Sequence, residues 1–229
     1  MSKTSIFVVI VALFLIIGSF FFHPPSHQQN DVNSIGNEPS TSVTPGTGTI
    51  ALATYTNPTY GFEIRYPMNL ATSSEFKAYY ALLESWRIGA SDTGKGVKLV
   101  SIISKRIENE NSYPRYFDAE VRVSASKDKA DVTDCYKNDT GHDDTTVGEK
   151  VINGVTWKTF TLDDAAMMQY LAGTSYRTIH NGACVVMEHI KAGSSYRDDP
   201  KTPSDPTDAE LNSYFDNLSG VVETFRFLP

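Results

Sequence analysis

The sequence predicts an α+β protein: a mostly antiparallel β-sheet with packed helices, preceded by one N-terminal transmembrane helix. Three observations predict this class. An uncharged apolar run extends from Ser5 to Phe22. Several later segments alternate apolar and polar residues, and two of them contain Asn-Gly, the dipeptide most typical of tight β-hairpins. Near the C-terminus, apolar residues recur every three or four positions, which is the spacing of an amphipathic helix.

The apolar run has 18 residues, which is just long enough to cross a bilayer as a helix. A cleaved signal peptide is the alternative, but its apolar part is usually shorter and ends in small residues. This run instead ends in Phe20, Phe21 and Phe22, which favours an uncleaved anchor. Lys3 indicates that residues 1–4 lie in the cytoplasm. We therefore expect a single-pass protein of the cell membrane, with its C-terminal part periplasmic or extracellular.

Residues 23–52 predict a disordered polar linker, because they are rich in Pro, Ser, Thr, Asn, Gln and Gly. Its histidines, His23 and His27, are typical of solvated spacer residues. Residues 53–229 are the right length for one folded domain, which we expect outside the cytoplasm. The formal net charge of −7 argues against nucleic acid as a partner, because binding it would need a clustered basic face.

The first half of this domain reads as a series of strands. One strand ends at Pro67, with Tyr60, Phe62, Ile64 and Tyr66 on its buried side. A second strand is predicted over Ala81 to Ile88. A third, Val97 to Ile107, has apolar residues on both faces and is predicted to lie centrally in the sheet. The clearest alternation runs from Phe117 to Ser126, and a short helix is predicted within Asp128 to Lys137.

The two Asn-Gly pairs predict β-hairpins in the second half, because both residues tolerate the positive φ of a type I′ turn. The second turn sets a register in which His180 opposes Ala183 and the pairing continues outward, with Ile179 opposite Cys184, Arg177 opposite Val186, and Ser175 opposite Glu188. In this register Arg177 and Glu188 are diagonal neighbours, and we expect a surface ion pair. Tyr176, Val185 and Met187 lie on the other face, which we expect to pack on a helix.

That helix is predicted near the C-terminus. Thr207 and Glu210 form a capping box at its start. Gly220 weakens its last turn, so the final FRFLP is expected to be extended. The apolar positions that define the helix are Leu211, Tyr214, Phe215, Leu218, Val221, Val222 and Phe225.

The two cysteines, Cys135 and Cys184, are most simply explained as one disulfide, because the domain is expected outside the reducing cytosol. Two free buried thiols are the alternative. No spacing in the sequence supplies the further ligands that a zinc site would need.

The opening motif YTNPTYGFEIRYP, together with the strand-rich body and the closing helix, resembles the PsbP-like family. The matching positions are Tyr55, Asn57, Gly61, Phe62, Ile64, Tyr66 and Pro67. The resemblance implies the Mog1/PsbP α/β/α sandwich and a non-enzymatic accessory or binding role. Tryptophan commonly follows the Tyr-Pro of plant-type members, whereas Met68 stands here, which argues against a photosynthetic role. The motifs are structural, so they carry over no binding residue.

No catalytic motif, metal site or cofactor site is recognised in the sequence. The best constellation for an ion or ligand is the loop with His142, Asp143 and Asp144, although without a second cluster it is more typical of a solvated loop. His180 and His189 are predicted to lie on one face of the hairpin but several residue pairs apart, too far to share an ion.

These observations predict a membrane-tethered binding or accessory domain without catalytic activity. Its expected partners are the membrane, through the N-terminal helix, and an envelope protein or cell-wall component. A secreted or anchored inhibitor of a cell-wall enzyme is an alternative that fits the size and the two cysteines. A pilin-like structural subunit is another, although the N-terminus lacks the leader and early glutamate of pilins.

Overall fold

The computed structural model describes residues 51–77, 85–90, 94–107, 116–137, 147–166, 169–194 and 206–229. All of them belong to one compact unit, Thr47–Pro229. The apolar run and nearly all of the predicted linker lie outside the described residues. Within the described ranges, no helix is both long and apolar enough to cross a membrane.

The described chain is mostly antiparallel β-sheet with three short helices, which confirms the predicted α+β class. A small sheet has the strand order β1-β2-β10, and a large sheet has the order β3-β4-β5-β9-β8-β7-β6, with every neighbouring pair antiparallel. The elements are β1 Leu52–Asn57, β2 Phe62–Pro67, β3 Ala71–Ser73, β4 Val97–Ile107, β5 Phe117–Ser126, α1 Lys129–Thr133, β6 Val147–Ile152, β7 Val155–Ala166, β8 Gln169–His180, β9 Ala183–Ser194, α2 Asp208–Asp216, α3 Ser219–Val222 and β10 Arg226–Phe227.

Both predicted Asn-Gly hairpins are confirmed. Asn153 and Asn181 each have a φ of 47°, and Gly154 and Gly182 follow with φ of 81° and 71°. These values suit a type I′ turn, whose twist matches that of the flanking strands. The predicted register of the β8–β9 hairpin is also confirmed, from His180 opposite Ala183 to Ser175 opposite Glu188.

The opening motif forms a hairpin between β1 and β2. The Asn57 side chain accepts a hydrogen bond from the Tyr60 N–H at 3.1 Å, and Gly61 has a φ of 64°, which glycine adopts without steric cost. These two residues shape the turn that leads into β2. Phe62 and Ile64 are fully buried, as their alternation predicts, and β2 ends at Pro67.

Two predictions about the strands are wrong. Of the strand predicted over Ala81 to Ile88, residues 85–88 lie in bends and turns, and 81–84 fall outside the described residues. The Trp86 ring packs directly on Gly96 and holds the bend in place. A Cβ atom at position 96 would lie 2.0 Å from this ring. β4 is second from the edge rather than central, because only the three-residue β3 pairs on its far side.

One face of the large sheet, here called the apolar face, packs on the C-terminal helical region as predicted, although the one helix predicted there is two, α2 and α3. Tyr176, Val185 and Met187 belong to one buried cluster with residues of α2, α3 and the chain after them. Phe225 stacks on Phe62 and meets Trp157 edge-on, each at 5.0 Å between ring centroids. The buried residues from the helical region are Leu211, Leu218, Val221, Val222 and Phe225.

The capping box at the start of α2 is present as predicted. The Thr207 side chain accepts from the Glu210 N–H at 3.2 Å, and the Glu210 carboxylate accepts from the Thr207 N–H at 2.7 Å. These bonds satisfy N–H groups that have no partner within the helix. The helical region ends before β10, which confirms that the last residues are extended.

Thr207→Ala is expected to lower the free energy of unfolding by about 1 kcal/mol, because it removes the side-chain half of this box. Ser213→Ala is the matched control, since Ser213 is an exposed hydroxyl residue in the middle of the same helix. Urea denaturation followed by circular dichroism measures both changes. Equal destabilisation by the two variants would contradict this role of the capping box.

Candidate functional site

The second face of the large sheet has a group of charges, here called the charged cluster: the half-buried Arg106 and the buried Asp118, Glu120, Arg122, Arg177 and Glu188. All ten residues of β5 are buried, including the polar ones that alternate with its apolar residues. Asp118, Glu120 and Arg122 have at most 1% of their surface exposed. Because ionised side chains are almost never fully buried without partners, this cluster is the most unusual chemical feature of the described chain.

Strand pairing brings the members of the cluster together. Arg122 on β5 is directly opposite Glu188 on β9, and Glu188 is opposite Ser175 on β8. Arg177 lies two residues beyond Ser175 and therefore on the same face. Glu188 on β9 therefore has an arginine on each neighbouring strand, Arg122 on β5 and Arg177 on β8.

Glu120 is the most highly bonded carboxylate of the cluster. One oxygen accepts from Arg122 Nε at 2.6 Å, and the other accepts from Arg106 Nη2 at 3.3 Å and from the Ser101 hydroxyl. Hydrogen bonds from charged donors are about twice as strong as neutral ones. They offset part of the cost of removing the carboxylate from water.

Asp118 is held at the outer end of the cluster, where Arg106 Nε donates to its Oδ2 at 2.5 Å. Burial and the neighbouring Glu120 carboxylate raise the pKa of Asp118 to about 7, and they outweigh the opposing effect of Arg106. Asp118 is therefore suited to gain or lose a proton near neutral pH.

The prediction that Arg177 and Glu188 lie at the surface is wrong, because both residues are buried. Arg177 donates to the Lys137 carbonyl at 2.7 Å and to the Ser175 hydroxyl at 3.1 Å, and its guanidinium lies 4.1 Å from the centroid of the Phe160 ring. Glu188 accepts from the Ile88 N–H at 2.8 Å. Burial raises the pKa of Glu188, against the opposing attraction of nearby arginines.

The charged cluster is covered by the segments around Phe76 and Ile88. Arg122 Nη2 donates to the Lys77 carbonyl at 2.6 Å, and the Arg122 guanidinium lies 4.8 Å from the centroid of the Phe76 ring. Ile88 supplies the N–H that binds Glu188. These segments satisfy the charges through backbone groups and an aromatic face, so residues outside the sheet complete the cluster.

The predicted disulfide is present between Cys135 and Cys184, with their Cα atoms 5.6 Å apart. It ties the chain just after α1 to β9, beside the buried Trp86. Arg87 Nη1 lies 3.4 Å from the Lys137 carbonyl and 3.5 Å from the carbonyls of Asp134 and Cys135. The disulfide and the arginines thus fix the chain after α1 against the charged face.

The histidines that the sequence singles out do not form a paired site in the described chain. His180 and His189 share the apolar face as predicted, but each stacks on a different ring, His180 on Phe227 at 3.6 Å and His189 on Phe215 at 4.0 Å. Burial lowers the pKa of His189. His142, Asp143 and Asp144 lie outside the described residues. Elsewhere in the described ranges, no three His, Cys, Asp or Glu side chains are grouped to hold a metal ion.

The charged cluster was not predicted from the sequence, because alternation of apolar and polar residues normally indicates one solvated face. A signal was nevertheless present. Charged residues recur on one face of β5, at Asp118, Glu120 and Arg122, and the predicted register already placed Arg177 near Glu188. Opposite charges at matching positions of several strands are what a buried ionic network requires.

Comparison with known proteins gives little further guidance. No protein-family model matches the sequence, and a search of curated proteins finds no match. The structure is similar to the solution structure of cyanobacterial PsbP (CyanoP) from Synechocystis sp. PCC 6803, with 12% sequence identity and a TM-score of 0.37 over 81% of this chain and 98% of that one. Likeness at this level carries no argument about function, and membership of the PsbP-like family stays a prediction.

Asp118→Asn is expected to flatten the dependence of stability on pH. Since the pKa of Asp118 is raised from 3.8 to about 7 on folding, its proton favours the folded state. This contribution is fully present below about pH 4 and is lost as the pH rises to about 7. In the wild type the group contributes a slope of at most about 1.4 kcal/mol per pH unit over this range.

Urea denaturation at a series of pH values measures that slope. The variant should keep only the slope from the remaining groups, Glu188 among them. Asp163→Asn is the control, because it removes an exposed carboxylate from β7, another strand of the same sheet. An unchanged slope in Asp118→Asn would show that Asp118 does not hold its proton in the folded protein.

The double variant Cys135→Ala, Cys184→Ala is expected to lose roughly 4 kcal/mol of unfolding free energy relative to the oxidised wild type, by the chain-entropy estimate for a loop of this length. The loop spans a sequence separation of 49 residues. Denaturation with and without reductant tests this, because reductant should destabilise the wild type and leave the double variant unchanged. Equal stability of the oxidised wild type and the variant would contradict the expectation.

Proposed function

We propose that this protein is a membrane-tethered binding or accessory domain outside the cytoplasm, without catalytic activity. The observation that carries the proposal is the inward orientation of the charged cluster. Glu120 is bound by Arg106, Arg122 and Ser101, and Glu188 by a backbone N–H. A catalytic acid or base must come within hydrogen-bond distance of its substrate, whereas these groups are enclosed and already bonded to the protein.

The disulfide supports a location outside the cytoplasm. Cys135, just after α1, and Cys184, on β9, are fully buried in a cluster with Trp86 and Val186. Structural disulfides form and persist in oxidising compartments and are rare in the cytosol. Together with the apolar run from Ser5 to Phe22, this supports an anchored protein whose folded domain is periplasmic or extracellular.

We further propose that the domain has the Mog1/PsbP α/β/α sandwich fold. The support comes from the opening motif, whose residues have separate structural tasks. Asn57 binds the backbone of the turn, Gly61 supplies its positive φ, and Phe62 and Ile64 enter the core. The family resemblance implies accessory or binding proteins, which agrees with the proposed role.

An affinity capture tests the binding role. The full-length chain, purified in detergent under oxidising conditions, serves as bait for solubilised envelope proteins and wall fragments of the source cell. Bait that has been reduced and denatured is the control. Saturable capture of one protein by the folded bait only is expected for an accessory subunit, and capture of glycan fragments alone would identify a wall-binding domain.

A hydrolytic activity would contradict the proposal. The sharpest case is an activity that survives purification and is lost in His142→Ala, because that residue belongs to the best acid and base constellation in the sequence. Assays with wall fragments and generic ester and peptide substrates provide this check. The affinity capture and the activity assay are independent measurements. A capture without a partner is therefore not mistaken for evidence of catalysis.

A further inference from the structure

Among the described strands, β6 is an edge of the large sheet, paired on one side only. The opposite edge, β3, has only three residues, whereas β6 has six and pairs with β7 without a register shift. It contains no proline. Proteins usually protect a long edge strand with a bulge, a proline or a free charge, since its unpaired N–H and C=O groups can bind another strand.

The charges on β6 are neutralised by neighbouring residues. Glu149 is paired with Lys158 on β7 at 2.5 Å, and Lys150 is paired with Glu223 and lies over the Tyr176 ring. The remaining large side chains on the side of Glu149 are apolar and exposed, with Val147 at 55% and Val151 at 64%. This edge therefore presents two valines around a neutralised glutamate.

The turn determines which backbone groups of β6 point outward. In a two-residue type I′ hairpin the residues that flank the turn exchange hydrogen bonds, here Ile152 and Val155. Lys150 and Gly148 then also bond to β7, because bonded and non-bonded pairs alternate. The N–H and C=O groups of Val147, Glu149 and Val151 point away from the sheet.

We propose that two copies of this chain pair through β6, antiparallel about a two-fold axis at Glu149. In this register Val147 of each copy is opposite Val151 of the other, and Glu149 is opposite its own equivalent. All three residues with outward backbone groups are then bonded across the interface, and the exposed valines cover each other. The two glutamates repel, but each is paired with its own Lys158, which weakens the repulsion between them.

Other registers fit this edge less well. A centre at Lys150 would place Val151 opposite Glu149, and a centre at Gly148 would place Val147 opposite Glu149, so the valines would not meet. A centre at Val151 or Val147 would leave one valine without a β6 residue opposite it. The strand β1 of the small sheet is a less suitable place for such pairing. Its exposed side chains are Leu52, Thr54 and Thr56, so it has no second apolar residue to match Leu52.

The oligomeric state of the full-length chain in mild detergent tests this proposal, with sedimentation velocity over a range of protein concentrations. Val151→Lys is expected to weaken the dimer at least tenfold, because it places a lysine against the valine of the second copy. Met68→Lys is the matched control, since Met68 is exposed to the same degree, 65% against 64%, in the turn after β2. Circular dichroism establishes that both variants are folded.

A charge-swap experiment tests the register itself. Val147→Lys combined with Val151→Glu places opposite charges in contact twice across the two-fold axis and should restore dimerisation. Val147→Lys combined with Val151→Lys places like charges there and should abolish it.

Three results would overturn the proposal. They are a monomer at all concentrations, a dimer that Val151→Lys leaves intact, and no difference between the two double variants. If the chain is monomeric and Val151→Lys instead removes capture of a different protein, the edge binds a foreign strand rather than a second copy. Dimerisation is independent of the capture experiment, so either proposal can fail without the other.

Discussion

The structure depends on how the polar side of β5 is kept out of water. β5 is buried on both faces, and one of these faces has carboxylates and an arginine. Glu120 bound by Arg106 and Arg122 is the central interaction. Removing one partner from a buried pair typically costs about 3–5 kcal/mol, because the remaining charge is left without compensation. The surrounding elements are therefore constrained to supply partners.

That constraint explains why the two faces of the large sheet are covered so differently. The apolar face needs only complementary shape, and the amphipathic α2 and α3 provide it. The charged face needs donors and acceptors at specific points, and irregular chain offers more free backbone groups than a helix does. Lys77 and Lys137 contribute carbonyls and Ile88 contributes an N–H, while the disulfide fixes the chain after α1.

The same arrangement connects the fold with the proposed role. The buried charges bond to one another and to backbone groups of the domain, and the pKa of Asp118, raised to about 7, makes the stability of the domain depend on pH. Groups available to a partner lie at the periphery, where β6 has outward backbone groups and exposed valines. An exposed strand edge is a surface to which another strand can add.

Local chemistry in the sequence determined the hairpins, the capping box, the bounds of β4 and β5 and the disulfide pair. Each depends on residues close together in the chain or on a choice with few alternatives: Asn181 and Gly182 tolerate positive φ, Thr207 and Glu210 bind each other's backbone, and there are two cysteines. The fold class followed from these elements, because antiparallel hairpins and one amphipathic helix combine in few ways.

Only the tertiary structure decided what covers each face of the sheet. Alternation shows that Glu120 and Val121 point to opposite sides, but the period is the same whether the polar side meets water or a covering segment. The burial of Arg177 and Glu188, the bend at Trp86 and the position of β4 near an edge depend on residues distant in the sequence. The charged cluster was for this reason invisible as a buried site until the strands were paired and covered.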